Sequence, residues 1–362
     1  MATENRLRII IVGSGIAGLA AALTVYERGE TTAATAGQGV ANMPNGSKIL
    51  NTLGFDYDRS GSVEISGWKV VRKDGTPEME TMIDWEGKYG APLATHMRAD
   101  FRAELLRIAT LPSNELGVDP EAGVVTLSDG STAEGDVTIG NCGWHHSHLR
   151  SQILGDAAHT HQKTGLTCFR LAVSEDLLGY LPDWWDTQLV TGKGFMHLTE
   201  ALDGNHRMVL AYLLLMVRSW FADGDCTEVL ETFKDFETDL LGMLCAATEV
   251  KLWDFQDLEP LPTWTSGRAI LIGDAAHAMT PMQGQGGNIG IEDAEAFRLL
   301  MQPRVTRDDV PVVLKKIDSL RRLPASKVFY NTRDMSIVEK PEERYARMGE
   351  NCTYDGILNA AK

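Results

Sequence analysis

The stretch Gly267–Ala294, GRAILIGDAAHAMTPMQGQGGNIGIEDA, concentrates residue types suited to holding a polyol beside a flat ring. An apolar strand, Ala269–Ile272, runs into Gly273-Asp274. A carboxylate at the carboxyl end of a buried strand can accept hydrogen bonds from hydroxyls lying against the backbone. Past His277 and Pro281, the bare glycines Gly284, Gly286 and Gly287 let main-chain amides approach a flat ring or an anion where a helix opens. A second arrangement of this kind stands near the start of the chain. Leu7–Val12 is an apolar strand that breaks at Gly13-Ser14-Gly15-Ile16-Ala17-Gly18 and continues as an alanine-rich helix. Strand, glycine turn and helix in that order are the context of a dinucleotide site. Gly13 permits the turn, Gly15 lets the backbone reach a pyrophosphate, and Gly18 lets the helix pack on the strand.

The elements that must carry these turns are only partly explicit. A dinucleotide unit places an acid about 20 residues past the glycines to hold ribose hydroxyls. Thr24–Arg28 could be the strand that ends on it, with Glu27 as the acid. Alternatively Leu19–Gly29 is all helix, Thr31–Ala36 is a shortened strand, and Glu27 is a solvated helix residue. Gly37-Gln38-Gly39-Val40 leads to a helix over Ser47–Leu53. His96–Phe101 opens an amphipathic helix in which Phe101, Leu105 and Ile108 share a face. Val124–Leu127 and Val137–Ile139 read as a hairpin-like pair that leads into Gly140-Asn141-Cys142-Gly143. Thr164–Arg170 and Met208–Val217 read as strands, and Trp184-Trp185 between them as packing. Cys226–Val250 has the spacing of one amphipathic helix, Val313–Arg322 of a closing helix, and the polar tail from Glu339 reads as loosely held. Gly155-Asp156-Ala157-Ala158-His159 repeats the five letters at Gly273. It lacks a buried strand before it and a glycine cluster after it, so it reads as a surface loop.

At 362 residues the chain can bury a large core and is expected to form two lobes. Its net charge of -16 argues against nucleic acid and anionic membranes as partners. The first residues go straight into a strand, without a signal-peptide pattern, and the longest apolar run, Met208–Val217, is too short for a bilayer. Five scattered cysteines without CxxC spacing favour reduced thiols and a cytoplasmic location. Cys142, His145, His146 and His148 are dense, but no second ligand cluster completes a tetrahedral site, so no metal is expected.

The Gly273–Ala294 block resembles the flavin-ribityl motif of the FAD-dependent aromatic hydroxylases, the salicylate hydroxylase-like flavoprotein monooxygenases. With Gly13–Gly18 it touches both ends of the chain, and an NAD dehydrogenase does not need the second block. The resemblance implies an α/β fold: a Rossmann-like FAD-binding domain of residues 1–60, 92–155 and 258–330, interrupted by a smaller sheet domain of 61–91 and 156–257, with 331–362 as a tail. It implies cofactor contacts at Gly13, Gly15, Gly18, Glu27, Gln38, Arg98, Asp274, Gly286 and Gly287, and an arginine near the substrate at Arg170. His277 would pack or hydrogen-bond near the flavin, and Pro281 would lie along its ring. The implied reaction consumes NADH or NADPH, bound transiently, and dioxygen, and hydroxylates a small aromatic molecule, phenolic or salicylate-like, through a flavin hydroperoxide. A homodimer is compatible with it, although no residue pattern specifies one. The chain departs from the family pattern in four places, one of them being that no tyrosine of the kind members often carry stands near His197–Ala201. About ten residues are missing after Gly18, Cys142 stands where the family has Asp, and one residue is inserted before Ser147. An epoxidase on the same scaffold, or a shortened paralogue that binds flavin weakly, therefore stays open.

Overall fold

The computed structural model describes residues 7–13, 15–25, 39–71, 74, 76–109, 117–119, 121–126, 131–141, 148–155, 157–173, 195–202, 205–213, 226–235, 238–245, 249–334 and 341–362. Three strands set the frame: β1 (Ile9–Val12), β10 (Val137–Gly140) and β16 (Ala269–Leu271) lie side by side in parallel. β15 (Thr265–Ser266) closes the edge antiparallel to β16. Every residue of β10 and β16 is buried, because helices cover the sheet and apolar side chains can occupy both faces. The register brings the strand ends together. Val12 pairs with Gly140, and Gly140 with Leu271, so the three strands end at one level. Asn141 N–H donates to the Val12 carbonyl at 2.7 Å, and Ile272 N–H to the Gly140 carbonyl at 2.9 Å. The two glycine turns thus leave the same carboxyl edge of a single sheet, where loop-built sites of α/β proteins lie.

Helix α1 (Ile16–Val25) is buried almost all round, with Leu19, Ala20 and Ala21 fully enclosed. A helix of that composition belongs inside a core. It packs on α9 (Gly286–Glu295), whose residues from Asn288 onward are all buried. A smaller antiparallel sheet, β2 (Gly39–Asn42), β6 (Ala94–Met97) and β3 (Val63–Glu64), lies next to α2 (Pro44–Thr52) and α4 (Arg98–Ile108). As expected from the spacing, Phe101 and Leu105 of α4 are fully buried. β4 (Gly67–Val71) and β5 (Pro77–Met82) form a hairpin, followed by the short helix α3 (Trp85–Tyr89). The second large sheet has the order β12 (Phe195–Leu202), β13 (Asn205–Leu213), β11 (Gln162–Val173), β14 (Glu249–Asp257).

Three expectations are corrected. Val137–Ile139 does not pair with Val124–Leu127. β8 (Val124–Thr126) pairs with β7 (Gly117–Asp119) and β9 (Thr132–Glu134), whereas β10 enters the parallel sheet, where a strand buried on both faces sits at the centre. Cys226–Val250 is not one helix but α6 (Cys226–Thr232), α7 (Thr238–Cys245) and the start of β14. The tail is not loose. The closing helix α10 spans Val310–Asp334, and residues 341–362 dock through α11 (Pro341–Asn351) and α12 (Ile357–Ala360). Cys352 and Ile357 are fully buried. Lys48 Nζ donates to the carbonyls of Cys352, at 3.1 Å, and Tyr354, at 2.6 Å, which anchors the segment by charge as well as by apolar contact. Among the described residues no helix is long and apolar enough to cross a membrane.

Two outcomes test this docking. Ile357→Ala should lower the unfolding free energy by about 2–4 kcal/mol, read from urea denaturation. Burial pushes the Cys352 thiol up to about 12. Only about one thiol in ten thousand would then be thiolate at pH 8, so Cys352 should resist iodoacetamide in the native protein while the exposed Cys245 reacts, as mass spectrometry of the alkylated peptides would show.

Candidate functional site

At the carboxyl edge of the parallel sheet the first glycine turn is packed to the limit. A Cβ on Gly18 would collide with the Gly13 carbonyl oxygen and lie 2.8 Å from Asn141 Nδ2; one on Gly15 would lie 2.9 Å from the same nitrogen. Gly13 itself has φ 106°, a conformation open to glycine. The second turn meets the first directly. A Cβ on Gly273 would stand 2.9 Å from the Cβ of Ala17 and 2.8 Å from Asn141 Oδ1, and one on Gly290 would stand 2.8 Å from Ala17 Cβ. Turns more than 250 residues apart in the chain therefore touch through Ala17 and the Asn141 amide.

Asp274 heads the short helix α8 (Asp274–His277) with its side chain exposed. Gly273 before it has φ 57° and ψ −144°, which residues with a Cβ rarely adopt. Beyond the turn Pro281–Gln283, Gly284 has φ 63°. Gly286 and Gly287 open α9, where an added Cβ would make only ordinary contacts. The nearest atoms to it are Met279 Cγ at 4.0 Å for Gly286, and Ile16 Cδ1 at 3.8 Å and Val40 Cγ2 at 3.9 Å for Gly287. The bare first turn of α9 thus stands next to the first residue of α1 and strand β2, and amides in a helix's first turn suit an anion or a polar ring edge.

Arg98 is the first residue of α4 and is exposed. It comes directly after Met97, which pairs with Gly39 at the start of β2. Arg170 lies on β11, where its backbone pairs with Leu210 on one side and Lys251 on the other. Its side chain, together with Glu27, Gln38, Cys142, His145, His146, Ser147, Trp184 and Trp185, lies outside the described residues, as does the side chain of His148. Among the described residues no group of histidine, cysteine and carboxylate side chains could hold a metal ion. The repeated pentapeptide lies in the loop after α5 (His148–Leu154), where Ala157 and Ala158 are exposed.

Arg150, which matches the arginine that closes the family's segment after Gly140, holds the site together along with residues that sequence reasoning passed over. The buried Arg150 donates to the carbonyls of His159, at 3.0 Å, and Ala275, at 3.2 Å, tying α5 to α8. Asn141, which precedes the cysteine that drew notice, has its Nδ2 buried without a hydrogen-bond partner among the described residues. Asn288 Oδ1 accepts from Met43 N–H at 3.0 Å, and its Nδ2 donates to the Ala41 and Gly284 carbonyls at 3.0 and 2.8 Å. Asn45 donates to Gln285 Oε1 at 3.0 Å and to Glu292 at 2.6 Å. No local pattern marked Asn45 or Asn288, because most of their partners lie about 240 residues or more away in the chain.

Comparison with known proteins accords with this geometry. Residues 242–303, which include the second glycine cluster, match the family model described as an FAD binding domain. The chain is 30% identical to the 3-amino-4-hydroxybenzoate 2-monooxygenase PtnB3 of Streptomyces platensis over 81% of its own length and 78% of the relative's. It is 29% identical to the FAD-dependent monooxygenase cfoG of Aspergillus candidus over 90% and 84%. A solved salicylate hydroxylase, determined as a substrate complex, superposes with a TM-score of 0.77 and 25% identity, covering 99% of this chain and 97% of that one. The chain belongs to the FAD-dependent aromatic hydroxylases, the salicylate hydroxylase-like flavoprotein monooxygenases. The described residues fit a flavin nucleotide in two respects: Gly286 and Gly287 leave the first turn of α9 without side chains, so that its main-chain amides are bare, and the Asp274 carboxylate is exposed next to the Gly273 turn.

The contact between the turns yields a test. Gly290→Ala would push a methyl group into Ala17, on the rigid backbone of α1, and should cost about 1–3 kcal/mol, read from the urea midpoint. An unchanged midpoint would show that the turns are not in contact.

Proposed function

We propose that this protein is an FAD-dependent, NAD(P)H-consuming monooxygenase that hydroxylates a small aromatic molecule of phenolic or salicylate-like type. The observation that carries this reading is the meeting of the two glycine turns at Ala17 and Asn141, on the carboxyl edge of one parallel sheet. Gly13, Gly15 and Gly18 bring α1 to the pyrophosphate, with Glu27 as the acid for the ribose. Asp274 accepts from the ribityl hydroxyls, and the amides at Gly286 and Gly287 face the ring. Gln38 and Arg98, which flank the Gly39–Met97 pair, reach the cofactor from β2 and α4. Arg170, on the second sheet, contacts the substrate. Residues 1–60, 92–155 and 258–330 form the FAD-binding unit, and 61–91 and 156–257 supply the sheet that roofs it.

When bound, FAD supplies reduction by the nicotinamide and activation of dioxygen. The protein's own contribution is orientation and exclusion of water. The side chains nearest to Gly286 and Gly287, those of Ile16, Val40 and Met279, are apolar, and apolar neighbours exclude water and strengthen polar contacts to the amides beside them. A guanidinium at Arg170 suits a phenolate or carboxylate, whose charge it would orient. The names of two relatives support an aromatic substrate: a 3-amino-4-hydroxybenzoate 2-monooxygenase and a hispidin-3-hydroxylase both act on ring systems.

Purified protein should be yellow and release FAD on denaturation. NADH and NADPH oxidation, measured in turn, should accelerate with one member of a panel of phenolic acids. Asp274→Ala should bind FAD at least about tenfold more weakly, the loss expected for a charged hydrogen-bond acceptor. Colourless protein that takes up no added FAD would overturn the reading, and full FAD retention in Asp274→Ala would remove the ribityl role of that carboxylate.

A further inference from the structure

The turn that carries Asp274 is held by a carboxylate that is not part of it. Asp293, on α9 and fully buried, accepts the N–H of Gly273 at 3.2 Å and the Nε2–H of His277 at 2.6 Å, both on Oδ2. Gly273 opens the turn and His277 closes it, so one oxygen grips both ends of the segment that carries Asp274. The other oxygen, Oδ1, accepts from Arg321 Nε of α10 at 3.2 Å. Arg321 is itself fully buried, with its Nη2 2.7 Å from Glu292 and its guanidinium over the Tyr354 ring at 5.1 Å. Burial alone would raise the Asp293 carboxyl, but His277, Arg321 and the Gly273 amide outweigh it and hold the group below the usual carboxylate range.

We infer that Asp293 is the positioning residue for the flavin site: with His277 and Arg321 it fixes the glycine-only geometry of Gly273, and thereby the direction in which the Asp274 carboxylate points. This rests on the reading of Asp274 as the ribityl acceptor. The physical basis is donor count. Donors approach Asp293 from two sides: Gly273 N–H and His277 Nε2–H on one, Arg321 Nε–H on the other. A carboxylate accepts on both sides. An asparagine of the same shape offers one oxygen and one NH₂, so whichever way it turns, an NH₂ faces a donor. Facing Arg321, the NH₂ would lie against a buried guanidinium, so it turns to the Gly273 side, where the backbone amide, which cannot change its tautomer, loses its acceptor. The φ 57°, ψ −144° conformation then loses the bond that holds it.

The role is distinct from stabilising the core. A residue that only stabilised the fold would lower the melting temperature and leave FAD affinity unchanged in protein that remains folded. A positioning residue lowers the affinity of folded protein as well. Apoprotein of the wild type, Asp293→Asn, His277→Leu, His277→Gln and Asp274→Ala would be titrated with FAD by flavin fluorescence well below each melting temperature, with circular dichroism to establish folding. Asp293→Asn should bind FAD roughly tenfold or more weakly, the effect of removing a charge-assisted hydrogen bond. His277→Leu, which deletes one donor and leaves the carboxylate, should weaken binding in the same direction. His277→Gln, which can restore an N–H to Asp293, should recover most of the affinity. If Asp293→Asn does not fold, the leucine and glutamine pair decides. Wild-type affinity in folded Asp293→Asn, or in His277→Leu, overturns the inference. Wild-type affinity in Asp274→Ala overturns instead the ribityl reading beneath it, so the two failures are told apart.

Discussion

The crossing of α1 over α9 is the constraint on which the site depends. These helices approach so closely that Gly290 must lack a Cβ, because the methyl group of Ala17 occupies the place one would take, and the same methyl group excludes a Cβ at Gly273 in the second turn. Within the first turn Gly18 lies against the Gly13 carbonyl, and the Asn141 amide is close to both turns. Small residues on both helices bring the turns into contact. At Gly286 and Gly287 the same lack of a side chain leaves the main chain bare without forcing a close approach. Tight packing on one side and bare main chain on the other come from the same residue type used in two environments.

Beneath this contact lies a layer of buried polar groups rather than hydrocarbon. Asn45, Glu292, Asp293, His277 and Arg321 are all buried, and charges in such a position are tolerated only when paired and hydrogen-bonded. A buried ion pair is weak evidence for stability, because desolvation offsets most of the attraction. What it supplies here is geometry: hydrogen bonds are directional where apolar contacts are not. The network reaches from α2 through α9 to α10 and then to the C-terminal segment, where Tyr354 Oη and Ile357 N–H donate to Glu295 at 2.9 and 2.8 Å. Asn351 likewise donates to Gln283 Oε1 at 3.2 Å, next to the Gly284 turn. The segment from Pro341 onward is thus part of the support of the second glycine cluster, not an appendage.

Much of this was legible in the linear sequence. Strand, glycine turn and helix are local patterns: they require apolar residues on both faces of a short strand, glycines where φ is positive, and small residues in the adjoining helix. Gly13–Gly18 and Gly273–Gly287 carry all of these within a few residues of each other, so the α/β class, both turns and the prominence of Asp274 could be read directly. The face of α4 formed by Phe101 and Leu105 was legible for the same reason, since helical periodicity is a local property.

What only the tertiary structure decided was partnership. β10 was read as half of a hairpin because Val124–Thr126 is its neighbour in sequence; in the fold its neighbours are β1 and β16, each more than 120 residues away. The polar tail was read as loose because its composition is hydrophilic. It is held because Lys48, Glu295 and Gln283 present acceptors and donors that no local pattern reveals. Asp293 carries no signal of its own in the sequence, and its meaning came from Gly273, His277 and Arg321 converging on it. The linear order specifies which backbone conformations each segment can adopt. Which segments then meet, and so which polar groups lose water together and must satisfy one another, is a property of the packed chain.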